Sequence, residues 1–61
     1  MRVGEMKRLA TRKGWIHSHT TGSHAQYYHA TIVGVLTIAG ADHKELDRKA
    51  ERSLKRQIEG K

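Results

Sequence analysis

Apolar residues recur along this chain with three different periods, and each period predicts a different element. Val3, Met6, Leu9 and Ala10 fall at i, i+3, i+6 and i+7, one stripe of a helix over roughly residues 3–13. Glu5 near its start and Arg12 and Lys13 near its end suit the helix dipole, and Gly14 supplies a C-terminal stop. From Trp15 onward that period is lost. Residues 15–20 and 24–29 are rich in aromatic, β-branched and hydroxyl side chains, with Thr21-Gly22 between them as a tight turn. Residues 32–38 form a nearly continuous β-branched run, the strongest strand signal and the best-buried strand expected. Residues 30–31 then make a short connection, so the middle of the chain reads as a three-stranded antiparallel meander. After a loop at 40–43, Leu46, Ala50, Leu54 and Ile58 recur every four residues. They predict a second helix with Asp47 as its N-cap, Glu51 in its early turns and Gly60 at its end. The order is α-β-β-β-α, an α+β domain spanning residues 1–61. The apolar sides of both helices need a surface, and one face of the sheet is the one available. The opposite face is left to solvent.

Composition narrows what such a domain can do. With 61 residues, no cysteine and no proline, the chain cannot hold a disulfide scaffold or a cysteine-ligated metal. It is too short for a multidomain enzyme, a dinucleotide-binding fold or a buried cofactor cavity. So small a core leaves a thin margin of stability and favours assembly, with a partner or as a homodimer. The longest uncharged apolar run, residues 30–41, is interrupted by Gly34 and Gly40. It falls short of the roughly 20 residues of a membrane span, and it lies mid-chain, unlike a signal peptide. A cytoplasmic protein is expected.

Charge is distributed unevenly. Residues 1–14 carry five cations against Glu5, residues 15–41 carry no formal charge, and residues 42–61 carry seven cations against five acids, for a net charge of +6. A small basic domain of this kind points to a polyanionic partner, most simply nucleic acid. The aromatic anchors of a membrane-surface helix are missing.

Four of the five histidines, His17, His19, His24 and His29, lie in the uncharged hairpin. With Thr21-Gly22 at the turn centre, His19 faces His24 and His17 faces Gln26. Trp15, His17, His19, His24, Gln26 and Tyr28 then share one face. Three readings of these imidazoles compete. Two or three on adjacent strands could bind zinc or nickel, although no Asp, Glu or Cys joins them. They could be polar residues on a wet face. Or one could serve a phosphodiester, because imidazole exchanges a proton near neutral pH and RNA brings its own nucleophile, the 2′-hydroxyl. His24 stands out for the last role. It follows Gly22, which lets backbone approach a ligand, and Ser23, which offers a hydroxyl and an N–H.

The stretch GWIHSHTTGSHAQYYH, a β-branched strand and then HKELDRKAERSLKRQ resembles the HicA (YcfA-like) toxin family of type II toxin–antitoxin systems. The likeness runs from Glu5 to Gln57. It is most specific at Gly14-Trp15, Gly22-Ser23-His24, Tyr27 with His29, and Lys44-Glu45-Leu46. It implies a double-stranded-RNA-binding-domain-like fold and a small mRNA interferase, with His24 in the position of the catalytic histidine. It also implies a HicB-type antitoxin as partner. The family often has a lysine before the Gly-Ser-His motif, where this chain has Thr21. It often has a proline after the histidine matched here to His29, where this chain has Ala30.

Together these readings give a metal-independent endoribonuclease with His24 as general acid/base, His19 or Tyr28 as the second group, and no cofactor. Gly22, Ser23, Arg12, Lys13, Lys44 and Arg48 are the expected RNA contacts, chiefly to the phosphate backbone. Trp15 is expected in the core. Tyr27 and Tyr28 point to opposite faces, and the exposed one could stack on a base. The alternative is a non-catalytic double-stranded-RNA or other nucleic-acid-binding module of the same fold.

Overall fold

The structure, a computed structural model, describes residues 1–60. Helix α1 is Val3–Arg12, strand β1 Trp15–Thr21, β2 His24–His29, β3 Leu36–Ala39, and helix α2 Arg48–Ile58. The strands form an antiparallel sheet in the order β1-β2-β3. This is the α-β-β-β-α arrangement that the periodicity predicts, and both helices contact the sheet. It is consistent with a double-stranded-RNA-binding-domain-like fold.

One core joins the helices to the sheet. Val3, Met6 and Ala10 from α1, Trp15, Ala25, Tyr27, Leu36 and Ile38 from the sheet, and Leu54 and Ile58 from α2 are buried together. Leu9 and Leu46, on the expected helical stripes, are only partly buried against it. The Trp15 indole N–H donates to the Ile58 carbonyl at 2.9 Å, so the same side chain fills the core and satisfies a carbonyl at the end of α2. The α2 N-cap is Asp47, whose carboxylate accepts from the Ala50 N–H at 2.7 Å. At α1 the Glu5 carboxylate reaches back to the Arg2 N–H at 2.8 Å. Helix α1 ends one residue short of expectation, with Lys13 as its C-cap.

Three expectations about the sheet need correction. The first is the turn. Its central residues are Gly22 and Ser23, so Thr21 pairs with His24. Gly22 alone has positive φ, +61°, which fits a turn with glycine first. Centring the turn on Thr21-Gly22 would have put a β-branched residue at that first position.

The second is the register. His19 pairs with Gln26 and His17 with Tyr27, and a bulge at Ser18 separates them. Directly opposed residues share a face. His17 therefore joins Trp15 and Tyr27 on the helix side. His19, His24, Gln26 and Tyr28 lie on the open side with Ile16 and Thr37. The single face expected for Trp15, His17, His19, His24, Gln26 and Tyr28 does not exist, because the bulge inverts alternation part-way along β1.

The third is β3, which starts at Leu36 rather than at residue 32. Residues 30–35 form a longer connection than expected. Gly34 has φ +109° there, and Val33 is 99% and Val35 64% exposed. Ile32 instead packs against the core from within the connection.

Candidate active site

Helix packing covers one side of the sheet, so function has the other side and the rims to work with. The two tyrosines divide as expected: Tyr27 is buried and Tyr28 is 49% exposed. Burial pushes the Tyr27 phenol up from its ordinary value.

His24 opens β2 directly after the Gly22-Ser23 turn and is exposed. Its cross-strand neighbours are Thr21 on β1 and Ala39 on β3. Both are short, so the ring is open to approach from above. Among the described residues no side chain or backbone group hydrogen-bonds it. Lys44 stands at the same end of the molecule, in a groove that Glu45 and Asp47 also line. The Ser23 carbonyl accepts from the Gly40 N–H at 2.9 Å, and the Lys44 side chain lies over Gly40. Ser23, Gly40, Lys44 and Asp47 line one shallow groove. Lys44 is exposed, and its ammonium has no partner among the described residues. Arg48, the first residue of α2, follows Asp47 at that end.

Arg12 and Lys13 lie elsewhere. They end α1 and lead through Gly14 to Trp15, which pairs with His29 at the far end of the hairpin. A seven-residue strand separates the two ends, about 20 Å. The fold thus sets Gly22 and Ser23 directly before His24, leaves Lys44 and Arg48 at the turn end of the sheet without a contact to the His24 ring, and holds Arg12 and Lys13 at the opposite rim.

The two expected second groups also separate. His19 is a diagonal cross-strand neighbour of His24 on the open face, with side chains starting roughly 7–8 Å apart. Its Nδ1 meets the Ser18 hydroxyl at 3.1 Å, which leaves Nε2 free. Tyr28 lies four residues along β2, about 13 Å from His24, too far to share one phosphodiester.

The remaining hairpin histidines are engaged. His17 packs edge-on to Tyr27, with ring centroids 5.3 Å apart, and its Nε2 meets the Thr20 hydroxyl at 2.8 Å. His29 is a structural clamp. Its Nδ1 accepts from the Thr31 and Ile32 N–H groups at 3.1 and 3.3 Å, so the ring proton resides on Nε2, which donates to the Lys13 carbonyl at 3.0 Å. The ring also meets Trp15 edge-on at 5.2 Å. Gly14 makes room for it: a Cβ there would lie 2.9 Å from His29 Nε2, and Gly14 has φ +94°.

Sequence reasoning gave Gln26 no role. In the sheet it sits between His19 and Thr37 on the open face, one row in from His24. The Thr37 hydroxyl donates to its Oε1 at 2.8 Å, which turns the amide NH₂ outward with no partner. Only the register reveals this. Among the described residues, no three His, Asp or Glu side chains come together as a candidate metal site.

The model of the HicA toxin of bacterial toxin–antitoxin systems matches residues 3–59. The chain belongs to the HicA toxin family. The match spans both helices and the whole sheet, so it includes every residue of the site just described. It gives the chain a toxin's role, paired with an antitoxin. No curated protein matches the chain. No helix is long and apolar enough to cross a membrane among the described residues.

Proposed function

We propose that this HicA-family chain is a metal-independent endoribonuclease that cleaves mRNA, with His24 transferring the proton. The placement of His24 carries the reading. It is exposed and unpartnered, on the sheet face the helices leave open and directly after a glycine turn, with the unpaired Lys44 at the same end of the sheet. The 2′-hydroxyl of a bound ribose gives its proton to the His24 imidazole as its oxygen bonds to the adjacent phosphorus. The bond from phosphorus to the 5′-oxygen breaks, and that oxygen takes a proton from His19 or from water. One fragment keeps a 2′,3′-cyclic phosphate and the other a 5′-hydroxyl. Lys44 and Arg48 hold the phosphate at this end, with the Gly22-Ser23 backbone close to it, while Arg12 and Lys13 hold phosphates further along the strand.

A HicB-type antitoxin silences the toxin by covering the His24 face with acidic or inserted side chains. The decisive experiment is cleavage of a defined mRNA in EDTA. Wild type should cleave as well with EDTA as without it. His24→Ala should lose at least about a hundredfold in rate, the usual worth of a positioned acid or base, and His19→Ala should lose less. Full cleavage by His24→Ala, or complete loss by wild type in EDTA, overturns the mechanism. RNA binding without fragments from wild type supports the non-catalytic module instead.

A further inference from the structure

The open face of the sheet changes character along β2. Nearest the turn stands His24, two residues on Gln26, and two more on Tyr28. Each stands in a cross-strand row: His24 and Gln26 at the centres of Thr21–His24–Ala39 and His19–Gln26–Thr37, and Tyr28 beside Ile16, beyond the end of β3. The rows pass from proton transfer, through an outward amide, to an aromatic ring packed beside an aliphatic one. Tyr28 is 49% and Ile16 48% exposed. No carboxylate lies on this face, because residues 15–41 contain none. Cations stand toward both ends of the track: Lys44 in a groove by the turn that Glu45 and Asp47 also line, with Arg48 following Asp47, and Arg12 and Lys13 by the start of β1.

We propose that this face is a track for single-stranded RNA, with Tyr28 stacking on a base two nucleotides from the bond beside His24 and Gln26 donating from its amide to the nucleotide between. The proposal rests on the reading above for where the strand is cut. Its substance is the form of the substrate. Alternate residues of a strand are about 6.7 Å apart, a step that one splayed nucleotide of a single strand can cover. A duplex keeps its bases stacked inside and offers no ring to Tyr28, so it would meet only the phosphate-binding rims. The exposed Ile16–Tyr28 pair is thereby given an occupant with a π-face, and the neutral face needs no charge because the rims supply it.

The test uses the His24→Ala chain, which should hold RNA without cutting it. Binding of a short labelled single strand, and of the same strand annealed into a duplex, is measured by fluorescence anisotropy. Adding Tyr28→Ala should weaken single-strand binding by about tenfold or more, the worth of one base–aromatic stack. Tyr28→Phe should restore it, and duplex binding should not change. Equal affinity with and without the ring overturns the proposal, as does equal loss for both RNA forms. A Tyr28→Ala effect confined to self-association or antitoxin binding makes the face a protein interface and overturns it too. Cleavage assays on chains that retain His24 separate this from the catalytic reading. Cleavage that needs His24 but ignores Tyr28 sinks only the track. Single-strand binding that needs Tyr28, without any cleavage, sinks only the enzyme.

Discussion

Two histidines five residues apart in the same strand should respond to alanine in opposite ways. His29 is half-buried and spends both nitrogens on backbone groups: Nδ1 on two N–H donors of the connection to β3, and Nε2–H on the last carbonyl of the α1 cap. It also leans on Trp15. His29→Ala removes three hydrogen bonds to the backbone, each worth about 0.5–1.5 kcal/mol net, a 3.3 Å contact with the Thr31 hydroxyl, and an aromatic contact. Water can reach part of this site, so the low end of each value applies, and the loss should be about 2 kcal/mol. For a domain of this size each kcal/mol moves the midpoint by roughly 4–8 °C, giving a fall of about 10 °C. His24 makes no such bonds, and His24→Ala should leave the midpoint within about 2 °C, as surface substitutions do.

Thermal unfolding followed by far-UV circular dichroism reads both values, and RNA cleavage at a temperature where every variant is folded reads the second axis. His29→Ala should cleave RNA near the wild-type rate there, while His24→Ala should not. Equal melting of the two variants, or a His29→Ala chain as stable as wild type, refutes the division of labour. So does a His24→Ala chain that melts as early as His29→Ala.

Acid should weaken the fold through two carboxylates. Hydrogen bonding to Lys7 holds Asp42 below its ordinary 3.8, and the Met1 amine, then Lys55, hold Glu51 below its ordinary 4.5. Groups held low contribute stability above their unfolded values and lose it as pH falls through the folded ones. Melting temperature should therefore drop below about pH 4.5, less so in high salt, and Asp42→Asn with Glu51→Gln should flatten that limb; an acid limb unchanged in the double variant contradicts the assignment. Thr21→Lys should add a cation directly opposite His24. It should raise RNA affinity at low salt severalfold and steepen the logarithmic salt dependence by about one, and an unchanged salt slope would show that no phosphate passes there.

Where one force acted alone, the sequence was easy to read. The helices follow from apolar spacing because each packs a single stripe, and Asp47 caps α2 because a short carboxylate before a helix has one good use. Trp15 enters the core, as its place between a helix and a strand suggests, and the two tyrosines fall on opposite faces because β2 is a regular strand; that Tyr27 is the buried one follows only from the observed register. What could not be read depended on two strands at once. The bulge at Ser18 leaves no composition signal, yet it decides that His19 joins His24 and His17 does not. The run from Ile32 to Ile38 is mostly β-branched and reads as one strand, yet its first four residues form the connection. Gly34 at positive φ and the capture of Ile32 by the core settle it, and both are tertiary facts. The amide of Gln26 was invisible for the same reason, since its orientation is fixed from β3 by Thr37.

The motif and the register together explain what the change from lysine to Thr21 means. Relatives that carry lysine before Gly-Ser-His would, in this ladder, place an ammonium directly across from the imidazole of residue 24, because residue 21 is its partner. This chain lacks that charge, and its whole sheet is formally neutral. The nearest substitute approaches from the opposite flank: Lys44 lies over Gly40, which is tied to Ser23 and adjoins Ala39, the other partner of His24. On the proposed function, phosphate attraction would thereby move off the face that holds the imidazole and onto its rim. On the proposed function, binding would depend on salt through Lys44, Arg48, Arg12 and Lys13, whereas proton transfer would take place on a surface without competing charge. An antitoxin that covered only the cations would slow RNA capture, and one that covered His24 would stop the reaction itself. The open, unpartnered His24 ring makes the second the more direct way to hold such a toxin silent.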